Sequence, residues 1–287
     1  MLAHHARRFR SLLAVAAPPA LAACGGLLDD WAADAISAPA AEIRVPDSLT
    51  MTMSHGRETV LMTRPQPPQP GDAARADSLL GAIEAGLAAF ADIDAALAAG
   101  YRFFPAEPPA GMFVVHLVHD ARSRREGAEG FDAAAPGSLL YERVPEGHAG
   151  HGGSHGHQGH HDLEGPGGRD PDGDGELADD WRLLGAMITA PVDATAEQLG
   201  AAAPLSATQW HLHRNTCVPR PLWDAAAWAD TSAAGEPLYG PTGTLSASRE
   251  DCEDAGGRML ETVFGWMTHA YVFAPDGVDP WDQHYGH

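Results

Sequence analysis

Positive charge is scarce in this sequence of 287 residues: 18 Lys and Arg stand against 39 Asp and Glu, for a formal net charge of −21. Holding a phosphate backbone requires clustered cations, so nucleic acid is excluded as a partner. Several signatures of common enzymes are also missing. There is no Gly-x-Ser-x-Gly elbow, and Gly137-Ser138 has no partner pattern around it, which argues against a Ser-His-Asp hydrolase. A phosphate-cradling loop, a dinucleotide glycine fingerprint, an HExxH helix and a CxxCH haem site are all lacking. These absences narrow the catalytic options to chemistry at a His-bound metal. After the N-terminus no run is apolar enough to span a bilayer. What the chain does contain is 44% apolar residues, enough for a real core, and 16 His. Its 32 Gly and 23 Pro imply long loops.

Residues 1–23 read as an export signal. Arg7, Arg8 and Arg10 form a basic start, and Leu12 to Ala22 form an apolar stretch of signal-peptide length. It ends Leu21-Ala22-Ala23-Cys24-Gly25, which resembles the bacterial lipobox, whose cysteine is lipidated and becomes the first residue of the mature chain. The expectation is a cell-envelope protein, anchored to the membrane through lipid on Cys24 and facing the periplasm or the cell surface. An ordinary secretory signal with a chance cysteine is the competing reading. Cleavage removes three Arg and no acid, so the mature chain is more acidic still, and its anchor would be acyl chains rather than attraction to anionic lipid. Cys217 and Cys252 then remain. An even number of thiols in an oxidising compartment reads first as a disulfide and second as a pair of metal ligands.

The expected fold class is α+β: an N-terminal helix followed by a mostly antiparallel sheet of about five strands, in a single domain over 71–287. Residues 24–70 read as a flexible Ala/Pro-rich tether, with a short hairpin over Ser48 to Met62 as an island within it. From Asp72 to Ala99 a helical stripe runs through Ile83, Leu87, Phe90, Ile93 and Leu97. Strand character follows at Met112 to Val118, Ser138 to Val144, Trp181 to Ala190, Thr208 to Asn215 and Thr262 to Phe273, with a short helix near Arg249 to Gly256. Residues 145–180 are Gly, His and Asp with almost no apolar side chain. They read as a low-complexity insertion between two strands.

That insertion carries His148, His151, His155, His157, His160 and His161, spaced by glycine so that a flexible chain could wrap Zn²⁺, Ni²⁺ or Cu²⁺. A low-complexity loop with no dedicated role is the plainer alternative. Asp170, Asp172 and Asp174 match the first half of a calcium loop, but its twelfth position is Trp181 in place of the bidentate Glu. A weak calcium site therefore competes with a solvated acidic loop.

The more structured candidates lie on strands. Alternation puts His211 and His213 on one strand face and Trp210, Leu212 and Arg214 on the other. His116 lies within an apolar run, with His119 at its end beside Asp120. Met267, His269 and Tyr271 share a third face. A lone histidine in an apolar strand is usually a hydrogen-bonded core residue, but three strands each offering inward histidines make a metal or catalytic cluster of His116, His211, His213 and His269 the sharper expectation. Met51, Met53 and His55 alternate in the N-terminal island and, with Met267, offer soft ligands that favour copper over zinc. The tail through His284 and His287 could fold back as a further source of ligands.

Taken together, Gly100-Tyr101-Arg102, Gly111-Met112 with His116, Leu139 to Glu142, Trp210 to Asn215, Cys252 to Arg258 and Phe264 to His269 resemble a family of bacterial exported proteins with spaced histidine motifs. The resemblance covers roughly residues 75–287 without the insertion. It implies an exported domain with spaced histidines and no particular reaction. Three functions follow in order: a lipid-anchored protein binding copper or zinc, a metal-dependent enzyme with an open position at the same cluster, and a structural or interaction lipoprotein whose histidines are satisfied by hydrogen bonds.

Overall fold

A computed structural model describes residues 43–55, 58–106, 114–144, 180–283 and 285. Its strands are β1 Thr50–His55, β2 Glu58–Thr63, β3 Arg102–Phe104, β4 Val114–Val118, β5 Ser138–Val144, β6 Asp180–Ala190, β7 His211–Val218 and β8 Arg258–Ala270. The helices among these residues are α1 Asp72–Leu87, α2 Ile93–Ala98, α3 Asp120–Glu129, α4 Ala196–Ala202, α5 Ala225–Trp228 and α6 Arg249–Asp254. All eight strands form one sheet in the order β1-β2-β7-β8-β6-β5-β4-β3, and every neighbouring pair is antiparallel.

The α+β class holds, but the sheet has eight strands rather than about five. Two of the additional strands are the hairpin β1–β2, which precedes the helix and lies within the expected tether. Residues 50–63 extend the sheet because β2 pairs with β7, Met62 opposite His211 and Val60 opposite His213. The third, β3, is three residues long, too short for alternation to register. The single helical stripe expected over 72–99 is broken after Leu87. Ala88–Phe90 tighten into a 3₁₀ turn, and the Asp92 side chain accepts from the Asp94 N–H to start α2 afresh. Residues 145–179, with the His-rich run and the acidic loop, lie outside the described residues, as does Cys24.

One face of the sheet is covered by α1 and α2. Ile83, Leu87 and Ala96 pack there with Val115, Leu117, Leu139, Ile188 and Trp266, all of them buried. Full burial of each Ile, Leu or Val side chain contributes roughly 1.5–3 kcal/mol. The Tyr141 hydroxyl donates to the Phe90 carbonyl at 2.5 Å, tying the 3₁₀ turn to β5.

The opposite face is concave. In a flat sheet, β4 and β8 would stand about 14 Å apart across β5 and β6, and β3 and β8 about 19 Å apart. Yet the rings of His116 and His269 are 5.3 Å apart, and those of Phe104 and Phe264 are 5.4 Å apart. The sheet therefore curls until its inner surface meets itself. At Phe264 (φ 59°) and Gly265 (φ 83°) the backbone is left-handed, and there β8 slips register against β7 between His211 and His213. A Cβ at Gly265 would stand 2.4 Å from the Ala190 carbonyl oxygen, so the close approach of β6 requires glycine.

The inner surface has three layers along the strands. At one end Val118, Val218, Trp228 and Val263 form an apolar cluster with Cys217 and Cys252, roofed by the Trp- and Pro-containing segment after β7. At the other end lie Leu140, Leu184 and Tyr271, with Val114 and Tyr285 against them. His116 stands between Val114 and Val118 on β4, and His269 between Val263 and Tyr271 on β8. The histidines thus occupy the middle layer.

Cys217 and Cys252 form a disulfide that joins β7 to α6 across 35 residues. On the chain-entropy account, closing such a loop stabilises by about 3–4 kcal/mol. A Cys217→Ser/Cys252→Ser protein should lose about that much unfolding free energy in urea; an unchanged midpoint would show that α6 is held by packing alone.

Candidate metal centre

Four imidazoles from three strands lie in a file. His116 on β4 packs on His269 on β8, with ring centroids 5.3 Å apart. His269 packs on His211 on β7 at 5.1 Å, and His211 on His213 at 5.1 Å. Every residue expected in the core cluster is therefore next to another. Exposure falls toward the middle: His269 is 1% and His211 3% exposed, whereas His116 and His213 at the ends are half-buried. His119 lies elsewhere, edge-on to Tyr101 at 5.3 Å, where burial holds its pKa below the ordinary value.

The bonds around His269 determine its protonation pattern. The Tyr271 hydroxyl lies 2.9 Å from the carbonyl oxygen of Tyr285 and 3.0 Å from His269 Nδ1. A carbonyl only accepts, so the one hydroxyl proton goes to Tyr285 and the phenol oxygen accepts from His269 Nδ1–H. In the neutral ring the lone pair is then on Nε2. Holding one nitrogen as a donor while the other keeps its lone pair is the usual outer-shell arrangement for a histidine ligand. The backbone is clamped as well: His269 N–H donates to Gln283 Oε1 at 2.9 Å, and Gln283 Nε2 donates to the His269 carbonyl at 3.0 Å. The tail does fold back, with Trp281 and Gln283 buried, but His284 and His287 lie outside the described residues. His116 is held by Ser138, whose Oγ is 3.2 Å from Nδ1.

The spacing can be compared with metal geometry. With metal–nitrogen bonds near 2.0–2.1 Å and a tetrahedral angle, two imidazoles on one ion have centroids about 5.2 Å apart. Each adjacent pair in the file has this separation. Three-fold convergence is another matter: among the described residues, no group of three or more His, Cys, Asp and Glu is arranged to hold a metal ion. The file offers pairs, not a ready four-histidine cage.

Methionines complete the layer. Met267 is the β8 partner of His211, Met62 is its β2 partner, and Met187 on β6 is the partner of His269. Cross-strand partners point to the same face with Cβ atoms about 4.5–5.5 Å apart. Met62, Met187 and Met267 are 6%, 0% and 2% exposed. Met51 and Met53, the soft ligands expected from the hairpin, lie one strand further out; Met51 is half-buried and Met53 38% exposed. Nothing is described of the His55 side chain.

Sequence reasoning missed Met62, Met187 and Gln283, whose roles come from strand order and from the returning tail. It also missed Glu126, in the strongly charged α3. This carboxyl is fully buried, accepting from Gly137 N–H at 2.6 Å and from the Thr189 hydroxyl at 2.9 Å. Thr189 is the β6 partner of Met267, which places Glu126 at the margin of the histidine layer. Burial pushes its pKa up to about 7 against those two hydrogen bonds. Comparison with protein-family models, curated proteins and solved structures finds no match to this chain.

Two outcomes are expected. Glu126 ionises near 4.5 when unfolded and near 7 when folded, so its contribution is most favourable below pH 4.5 and is lost as pH rises through 7. Glu126→Gln should shrink the difference in unfolding free energy between pH 5 and pH 8 by about 2–3 kcal/mol. The same pH dependence in both proteins would exclude Glu126 as its source. Tyr271→Phe should cost about 1–2 kcal/mol and leave His269 a mixture of tautomers, read from its ring ¹⁵N shifts; a single unchanged Nδ1–H form would refute the tyrosine's role.

Proposed function

We propose that this is an exported, lipid-anchored protein that binds a transition metal, copper or zinc, through the file of His116, His269, His211 and His213. The observation that carries the reading is the 5.1–5.3 Å ring spacing, which unites residues from three separate strands inside a curled sheet. Imidazole nitrogen is a ligand atom for copper and for zinc alike, and two of these rings lie below 4% exposure, shielded from competing water. His269, with its Nδ1 hydrogen-bonded to Tyr271, presents Nε2 as the ligand atom, and His211 is its nearest partner on the inner side.

Export and anchoring rest on the residues around Cys24, and the cell envelope is the compartment they address. The six insertion histidines, His148 to His161, would raise the local metal concentration beside the folded site. A weak calcium loop at Asp170, Asp172 and Asp174 would be a separate, surface event.

The test uses the full chain, purified in detergent without a His tag, with the six insertion histidines replaced by Asn. Elemental analysis should give close to one copper or zinc per chain, lost in His211→Asn/His269→Asn. Because that pair could unfold the protein, metal-dependent rise of the unfolding midpoint is measured alongside, in the parent and in His269→Gln. A folded parent that takes up no metal and shows no shift would overturn the reading.

A further inference from the structure

Four methionines are buried among the described residues, and only Met259 belongs to an apolar cluster. Met62, Met187 and Met267 fall in none of the three apolar clusters of the described residues, although each is 6% exposed or less. Their register places them around the two most buried histidines instead. Met62 and Met267 flank His211 from β2 and β8, and Met187 stands beside His269 from β6. Met267 is also two residues from His269 on the same strand, so it borders both rings of the pair whose centroids are 5.1 Å apart by register and by alternation. Methionine has three rotatable bonds, so its sulfur adapts to a position set by stiffer neighbours.

Resting on the metal-binding reading above, we infer that the site at His211 and His269 is built for monovalent copper, with thioether sulfur from Met62, Met187 and Met267 completing its coordination. Three physical arguments select Cu(I). Thioethers are soft ligands that suit Cu(I) and are poor ligands for zinc, which draws on His, Cys, Asp and Glu. No group of three such residues is arranged around an ion position among the described residues. A buried site of neutral imidazoles and thioethers also penalises a dication far more than a monocation, because the cost of desolvating an ion rises with the square of its charge. Finally, Cu(II) seeks a tetragonal set of nitrogen and oxygen donors, whereas two nitrogens and mobile sulfurs allow the low coordination numbers of Cu(I).

This refines which sulfurs matter. Met51 and Met53 share the face but stand one strand beyond Met62, with Met53 exposed, so they lie outside the inferred coordination set.

The experiment is anaerobic competition for Cu(I) against a colorimetric chelator, with Zn(II) titrated separately, on the full chain carrying Asn at the six insertion positions. Met62→Leu, Met187→Leu and Met267→Leu conserve volume and apolar character, so the fold is retained and checked by circular dichroism. Cu(I) should bind in preference to Zn(II), and the triple variant should weaken Cu(I) by at least about tenfold per sulfur removed, leaving Zn(II) unchanged. X-ray absorption of the copper-loaded parent should show sulfur as well as nitrogen neighbours. Cu(I) affinity unchanged in the triple variant, or copper with nitrogen neighbours alone, overturns the inference while leaving a histidine site in place. Failure of either ion to bind overturns both the inference and the function on which it rests.

Discussion

The contact of Phe104 on the edge strand β3 with Phe264 on β8 is the interaction on which the inner surface depends. It joins strands four steps apart in the sheet, at the point where the β8 backbone is left-handed, at Phe264 and Gly265. Trp228 and Trp223 pack edge-on against Phe104 from the segment after β7, so the closure is an aromatic cluster rather than one ring pair. Once β3 and β4 have been carried over the face of β8, His116 meets His269, and the two central rings, His269 and His211, are shielded from water. Without that closure the same histidines would line an open, hydrated sheet, where imidazoles bind metal weakly and without discrimination.

Closure also constrains charge. Two imidazolium rings 5 Å apart would repel by about 3 kcal/mol at an effective dielectric of 20, and each would bear a desolvation cost as well. Neutral rings are the form that would bind a metal in this layer. The tail supports this state at His269: Gln283 fixes the backbone and Tyr271 takes the Nδ1 proton in a hydrogen bond, so geometry and tautomer are set by residues outside the file. The outer face contributes rigidity, because α1 and α2 hold β4, β5 and β6 against a large apolar cluster.

Much of this was legible in the chain and some was not, for identifiable reasons. Alternation placed His211 and His213 on one face and Trp210 and Leu212 on the other, because side-chain direction in a strand is a local property. Trp210 and Leu212 indeed lie in the helix-covered cluster. The five strands expected after the helix were legible for the same reason. Strand order is not local: nothing in Val114–Val118 or Arg258–Ala270 announces that β4 and β8 will face each other across the interior. Met62 and Met187 gained their meaning only from their partners His211 and His269. The hairpin β1–β2 was visible as an island, but its Ala/Pro-rich surroundings obscured that it extends the sheet. Glu126 left no signal at all, since a glutamate within Arg-rich α3 reads as solvated until the Gly137 N–H and the Thr189 hydroxyl are found pointing at it.

The protein's charge and its interior act on a cation in different ways, and the difference decides where selectivity can arise. A net charge of −21 raises the concentration of every cation near the surface, in proportion to valence and without regard to identity. On the metal-binding reading, the six glycine-spaced histidines would add affinity but little selectivity. Inside the curled sheet the terms reverse. The methionines around His211 and His269 carry no charge, their positions are fixed by cross-strand register, and on the metal-binding reading a higher ionic charge would be a disadvantage there. On the copper reading, the surface would collect cations broadly and the interior would choose among them by softness and charge. The same argument explains why the discriminating ligands need to be buried: at the surface, water screens the charge penalty that separates a monovalent ion from a divalent one.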